Sequence, residues 1–207
     1  MNRSAAADET EAQIMREATV TRETKETQIT VTVRLDGKGE SQIETGIGFF
    51  DHMLTAMSKH SGISMQIKTA GDLYVDGHHS VEDTGIVLGQ ALNKALGDKS
   101  GIARYGSAYI PMDEALSFCA LDLSNRPFLV FRGEFTNQMI GSYDACLTEE
   151  FFRALAVNAG ITLHLDMMYG KNDHHKCEAL FKAFAHALRT AVTETDGTVL
   201  STKGALG

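Results

Sequence analysis

Tryptophan is absent from this 207-residue chain, proline occurs twice, and there are three cysteines. Cys119, Cys146 and Cys177 lie far apart with no C-x-x-C pair. An odd, scattered set of this kind is typical of reduced thiols in a cytosolic protein. No apolar run approaches the roughly 20 residues of a membrane span, and the first residues lack the apolar core of a signal peptide. We therefore expect a cytoplasmic protein with no membrane partner.

Positive charge is also scarce, since 19 Lys and Arg residues against 27 Asp and Glu residues give a formal net charge of −8. This balance argues against a nucleic-acid partner, which needs clustered cations. Hydrophobic residues make up 43% of the chain, and this fraction excludes a wholly disordered protein. The unusual feature is histidine, with eight residues that are unevenly distributed.

The two halves of the chain follow the same pattern of elements. Residues 1–13 predict a mobile arm, residues 14–98 a first repeat, residues 99–195 a second repeat and residues 196–207 a C-terminal tail. Each repeat predicts the order strand–strand–helix–strand–helix, which indicates an α+β fold of internally duplicated half-domains. Helices are predicted over 49–60, 78–96, 148–158 and 173–192. In the second half, strands over 115–123 and 128–135 are expected to pair across the turn that joins them.

A repeated H-H-x-x-E motif lies at the start of the second helix of each half. The two copies are 96 residues apart and consist of His78, His79 and Glu82 in the first half and His174, His175 and Glu178 in the second. In a single copy, a solvated helix face or an N-terminal cap is the better interpretation. Two copies at matching places in two repeats favour metal binding instead.

Helix geometry indicates what these motifs bind. Residues i and i+4 share one face of a helix, whereas adjacent residues point about 100° apart. Neighbouring histidines are therefore unlikely to hold one ion together, and the economical arrangement is two ions with both motif copies contributing to each. Imidazole and carboxylate ligands suit a first-row divalent metal.

Two further residues extend the candidate ligand set. His52 lies on the first helix, and at an offset of 98 its counterpart in the second half is Glu150. Both side chains can bind metal, so the pseudo-symmetry would survive this exchange. A solvated position on the helix surface is nearly as good an interpretation for Glu150. His164 and His186 have no matching partner and are expected to be core or surface residues.

Several segments resemble imidazoleglycerol-phosphate dehydratases. They span residues 44–54, 76–83, 111–116, 122–127, 171–175, 178–183 and 201–204. The resemblance implies two half-domains, each a four-stranded mixed sheet packed against two helices. It further implies two Mn²⁺ ions per active site and a homo-oligomer of 24 subunits with active sites at subunit interfaces. In that family the position of Glu150 is often His.

The resemblance also implies an activity, namely dehydration of the phosphorylated imidazole imidazoleglycerol phosphate to imidazoleacetol phosphate in histidine biosynthesis. The proton that leaves is on a carbon that no carbonyl acidifies, so a metal-stabilised imidazolate is the expected electron sink. Glu178, Glu82 and, more weakly, Glu26 are the candidates for acid–base catalysis.

The resemblance places a set of cations and hydroxyls around the substrate phosphate. This set comprises Arg104, Arg126, Lys182, Ser201 and Lys203, with His60 as a further residue of the pocket. Lys182 lies four residues after Glu178, on the same helix face. The tail that carries Ser201 and Lys203 is expected to close over the phosphate.

Two other functions fit the same motifs. A dinuclear metallohydrolase of the phosphatase type would use paired His and Glu ligands and would release inorganic phosphate. A non-catalytic metal-dependent assembly protein would oligomerise with metal without turnover. It would have no need of Arg104, Arg126 and Lys203.

Overall fold

The computed structural model describes residues 16–195, 197, 199–202 and 204. The predicted arm over 1–13 and the predicted phosphate ligand Lys203 lie outside the described residues. The first half contains β1 (Glu17–Glu23), β2 (Thr27–Arg34), β3 (Ser41–Glu44), α1 (Gly48–Ser61), β4 (Ser64–Gly71) and α2 (His78–Leu96). The second half contains β5 (Tyr105–Met112), β6 (Ala115–Asp122), β7 (Phe128–Arg132), β8 (Met139–Ile140), β9 (Tyr143–Asp144), α3 (Leu147–Ala159), β10 (Thr162–Tyr169) and α4 (Asp173–Ala191).

The two large sheets have the same topology. The strand order is β1-β2-β4-β3 in the first sheet and β5-β6-β10-β7 in the second. In both sheets three strands are antiparallel and the last strand runs parallel to its neighbour. The prediction of an α+β fold with two duplicated halves, each a four-stranded mixed sheet with two helices, is therefore confirmed.

The predicted helices agree with the structure to within one residue at each end. The strand predictions were less accurate. The pairing expected between the strands at 115–123 and 128–135 is wrong, because β10 lies between β6 and β7 and pairs with both. Inner residues of β10, such as Leu163 and Leu165, are buried, whereas β7 is only partly buried, as is typical of an edge strand. The hydrophobic pattern showed that these strands exist but did not show which strands are neighbours.

Two outer strands were not predicted. β1 and β5 each form one edge of a sheet, and β5 alternates only between half-buried and exposed residues. Gly106 and Pro111 also weaken the strand signal of β5, because both residues are rare inside strands.

The helices pack across the two repeats. α1 packs on α4, and α2 packs on α3, so each helix of one half meets a helix of the other. Phe50 of α1, Phe151 of α3 and Phe181 of α4 meet at the centre, where the Phe50 and Phe151 rings are 5.2 Å apart and those of Phe151 and Phe181 are 5.4 Å apart. All three side chains are fully buried, and this aromatic contact ties the helices into one core.

Close packing of α2 on α3 depends on the absence of a side chain at Gly89. A Cβ at this position would lie 2.7 Å from the carbonyl oxygen of Leu155 and 2.8 Å from Cβ of Asn158. Both contacts are shorter than van der Waals contact, and the carbonyl belongs to the helix backbone.

In the described part of the chain, no helix is long and apolar enough to cross a bilayer.

We predict that Gly89→Ala destabilises the protein by about 1–3 kcal/mol, because the added methyl overpacks the interface between the two helices. This loss should outweigh the roughly 1 kcal/mol that alanine gains over glycine in helix propensity. Gly48→Ala is the matched control, since a Cβ at Gly48 meets nothing within 4 Å. Urea unfolding of both variants measures the difference, and equal stabilities would contradict the packing argument.

Candidate active site

Two helices from different repeats bring the main ligand cluster together. His174 and Glu178 are one turn apart on α4, with His174 Nε2 3.2 Å from Glu178 Oε2. His52 of α1 reaches the same carboxylate, with its Nε2 3.4 Å from Glu178 Oε2. Ligand atoms of all three residues lie within 4.8 Å of one another, and no other group of three or more such residues occurs in the described chain. Two imidazoles and a carboxylate suit a first-row divalent metal, so these residues fit an ion of that kind.

Lys182 stands directly beside this cluster. Its Nζ donates a hydrogen bond of 2.6 Å to Glu178 Oε1, the oxygen that the histidines leave unused. Burial of Glu178 opposes its ionisation, but the hydrogen bond and charge of Lys182 outweigh burial and lower the pKa of this carboxyl. Glu178 is therefore an ionised carboxylate, which is the form that binds a metal.

His60 lies further along the same pair of helices. Its Nδ1 is 3.2 Å from His186 Nε2, a hydrogen bond between α1 and α4. Burial and the nearby charge of Lys182 lower the pKa of His60, so its neutral form is favoured. His186 was expected to be structural, and the structure shows that it contacts the predicted pocket residue His60. His164 is exposed on β10.

The first motif copy reproduces the geometry of the second. His78 Nε2 lies 3.3 Å from Glu82 Oε2, again one helical turn apart. This pair does not join the cluster of His52, His174 and Glu178 within the described chain. The structure thus contains two similar half-sites, one at each motif copy. The three-residue cluster forms at the second motif copy.

The second histidine of each motif is oriented by a carboxylate. His79 Nδ1 lies 3.0 Å from Asp72 Oδ2, and His175 Nδ1 lies 2.7 Å from Glu114 Oε2. An ionised carboxylate can only accept a hydrogen bond, so Nδ1 carries the proton. In the neutral imidazole, Nε2 then presents a lone pair, as metal-ligating histidines do. These hydrogen bonds raise the pKa of both histidines. Hydrogen bonds from His175 and from two backbone amides lower the pKa of Glu114 to about 2.

Two predicted site residues, Glu26 and Glu150, lie outside the groups described above. Glu26 Oε2 lies 3.9 Å from His79 Nε2, so the structure brings Glu26 to the first half-site. Glu150 is not part of the three-residue cluster, and its carboxylate faces Arg153 Nε at 3.6 Å. Its role as a ligand stays a prediction.

Two of the predicted phosphate ligands, Arg104 and Arg126, lie at a different carboxylate. Arg104 donates to both oxygens of Asp122, with N–O distances of 2.6 and 3.0 Å, and its Nη1 donates to the carbonyl oxygen of Leu200 in the tail. Arg126 Nη2 lies 3.8 Å from the same Asp122, and its side chain is exposed. Ser201 follows Leu200 directly and is therefore next to the tail residue that contacts Arg104. Asp122 raises the pKa of Arg104, mainly through these hydrogen bonds.

Sequence reasoning missed the carboxylates that support these groups. Asp72, Glu114 and Asp122 each orient a predicted site residue. Asp72 lies seven residues before His79, outside the helix that carries the motif, so helix spacing gave no signal for this contact. Glu114 is 61 residues from His175, and only the pairing of elements in space connects them.

The architecture and the site together define an internally duplicated α+β protein whose histidine and carboxylate groups form the type of ligand set that metalloenzymes use. The comparison with known families is specific. Residues 45–188 match the family model described as imidazoleglycerol-phosphate dehydratase. The chain belongs to this family, and the prediction that it is a hydro-lyase is confirmed.

Similar proteins cover nearly the whole chain. The imidazoleglycerol-phosphate dehydratase of Listeria welshimeri is 58% identical over 195 residues, which are 93% of this chain and 100% of that protein. The crystal structure of the Staphylococcus aureus enzyme has a TM-score of 0.79 at 43% identity, covering 86% of this chain and 99% of the other. The Pyrococcus furiosus enzyme, solved in complex with (S)-C348, has a TM-score of 0.80 at 37% identity, covering 90% and 100%.

We predict that Glu114→Gln lowers the pKa of His175 towards its ordinary value, because the variant removes the negative charge that stabilises the imidazolium. The metal-free protein should be used, and an NMR titration of the His175 ring measures the shift. Glu149→Gln is the control, since Glu149 pairs with Arg153 on α3. An unchanged His175 titration in Glu114→Gln would contradict the assigned hydrogen bond.

Proposed function

We propose that this protein dehydrates imidazoleglycerol phosphate to imidazoleacetol phosphate in histidine biosynthesis, with two divalent metal ions, Mn²⁺ being the expected ion. The observation that carries this proposal is the convergence of His52, His174 and Glu178 from two repeats beside the cation Lys182. The named relatives and the family model support the choice of substrate.

The proposed metal ligands comprise both half-sites. They are His52, His174, His175 and Glu178 around α4, and His78, His79, Glu82 and, by its position, Glu150 around α2 and α3. When bound, the metal would supply Lewis-acid stabilisation of negative charge on the substrate ring. Asp72 and Glu114 hold the second histidine of each motif with Nε2 available, and Lys182 keeps Glu178 ionised.

Among the three candidate acid–base residues, Glu26 is best suited to accept the proton. The pKa of Glu178 is lowered, which makes it a weaker base and a better ligand. Glu82 occupies the pseudo-equivalent position and has the same contact with its histidine. Glu26 makes no such i, i+4 contact and stands 3.9 Å from His79 Nε2, next to the proposed ligand shell.

We assign the phosphate group to two sets of cations, one in the middle of α4 and one at Asp122. Lys182 lies at the ligand cluster, Arg104 and Arg126 lie at Asp122, and Arg104 also contacts Leu200 of the tail. Ser201 and Lys203 are the phosphate ligands proposed from the tail. Arginine guanidinium groups suit phosphate because they donate paired hydrogen bonds in a fixed plane. We propose that the tail closes over the bound phosphate, with His60 lining the pocket nearby.

The active site is proposed to form between subunits of a homo-oligomer, with 24 subunits as the expected number. Support comes from the two half-sites, because the His78–Glu82 pair does not join the cluster at His174 within the described chain. A neighbouring copy of the chain could bring its first motif to this cluster, and each dinuclear site would then contain both motifs.

The direct test is turnover of imidazoleglycerol phosphate by the manganese-loaded full chain, followed by detection of the ketone product. We expect ketone formation with the phosphate ester intact. Release of inorganic phosphate would instead identify a metallohydrolase. Absence of both products from a metal-replete oligomer would support the metal-dependent assembly protein and contradict the proposed function.

We predict that Glu26→Gln lowers kcat by about 10²–10⁴-fold while the amount of bound metal stays the same, because it removes proton transfer without removing a ligand. Glu23→Gln, an exposed carboxylate nearby on β1, is the matched control and should keep wild-type kcat. Steady-state kinetics and metal analysis of both variants test the assignment. Loss of metal from Glu26→Gln would show that Glu26 is a ligand and not the base.

A further inference from the structure

Lys99 is a lysine buried in the core, where charged side chains are rare. Only 2% of its surface is exposed, and its backbone has a positive φ of 61°, which lysine seldom adopts. Its Nζ donates to the Ala159 carbonyl oxygen at 2.9 Å and to the Asn125 side-chain oxygen. Burial lowers the pKa of Lys99 to about 8, so the protein retains this cation at an energetic cost.

Part of this arrangement has a structural explanation. Ala159 is the last residue of α3, and a lysine that binds the last carbonyls of a helix stabilises its C-terminus. The cap does not explain the second hydrogen bond, which reaches across to the side chain of Asn125 in the loop between β6 and β7. This loop carries Arg126, a residue proposed to bind the substrate phosphate.

The loop is fixed from both sides. Asn125 has a positive φ of 59°, a conformation that asparagine tolerates, and Lys99 holds its side chain. On the other side, Thr162 Oγ1 donates to the Arg126 carbonyl oxygen at 2.7 Å. The Arg126 backbone amide donates to Ser124 Oγ at 3.3 Å. The backbone of Arg126 is therefore held in place, although its side chain is exposed.

The electrostatic environment of the loop is also unusual. Arg104 and Arg126 both pair with Asp122, and the same carboxylate is the one that acts on Lys99. Two arginines thus share one carboxylate, and the Lys99 cation lies close enough to feel its charge. The excess of positive charge is what an anion such as a phosphate group would neutralise.

We propose that Lys99 is a positioning residue for phosphate recognition, which holds the Asn125–Arg126 loop in the conformation that presents Arg126 to the substrate phosphate. This inference rests on the proposed function, because it takes the phosphate end of the substrate as the ligand of Arg126. Lys99 itself is buried and acts through Asn125.

The kinetic test uses the full, manganese-loaded chain and two variants that break the same contact. Lys99→Met removes the cation, and Asn125→Gly removes the acceptor while glycine retains the positive φ and the Lys99–Ala159 hydrogen bond. We expect each to raise KM about tenfold with kcat within about twofold, the pattern of lost ground-state binding. Lys94→Met, on the exposed face of α2, is the control and should match the wild type.

Asn125→Asp is the conservative variant, because its carboxylate keeps an acceptor for Lys99 Nζ and pairs with that cation. Our proposal predicts that Asn125→Asp keeps KM within about twofold of the wild type while Asn125→Gly raises it about tenfold. A purely structural role predicts that Asn125→Gly is less stable in urea unfolding with an unchanged KM. That result would overturn the proposal even if Lys99→Met failed to fold.

Calorimetric binding of inorganic phosphate distinguishes this proposal from the proposed function, because it needs no turnover. If the wild type binds phosphate and Asn125→Gly binds it about tenfold more weakly, the role of Lys99 is supported even where imidazoleglycerol phosphate is not converted. A second outcome is that the wild type turns over the substrate while Asn125→Gly binds phosphate with wild-type affinity. This outcome would overturn the role of Lys99 and leave the proposed function intact.

Discussion

The packing of α1 on α4 is the contact on which the site depends. His52 comes from the first repeat and the cluster residues His174 and Glu178 come from the second, so no single repeat contains the site. The aromatic contact of Phe50, Phe151 and Phe181 fixes these helices in the core. Because the helices pack across the repeats, the two copies of the sequence motif form two matching half-sites.

Carboxylates determine the electrostatic character of the site in this acidic chain. Asp72 and Glu114 orient a histidine each, and Asp122 holds two arginines. Glu178 contacts two histidines and Lys182 at once. The net charge of −8 therefore coexists with a local excess of cations at Asp122, where the substrate phosphate is proposed to bind.

Local patterns predicted the helices and the two motifs well, because helix periodicity and i, i+4 spacing are properties of short segments. The insertion of β10 between β6 and β7 could not be predicted in this way, since neighbouring strands are chosen by long-range packing. The same holds for Lys99, whose partners Asn125 and Ala159 are 26 and 60 residues away. A charged residue flanked by Asp98 and Ser100 gave no local sign that it was buried.

We propose that His52, His174 and Glu178 hold a divalent ion together with the first motif of a neighbouring chain. Anomalous diffraction from crystals of the manganese-loaded protein, recorded at the manganese edge, tests this claim most directly. We expect two manganese peaks per active site, with ligands from His52, His174 and Glu178 of one chain and from His78 and Glu82 of another. Manganese bound away from these side chains, or bound by one motif alone, would contradict it.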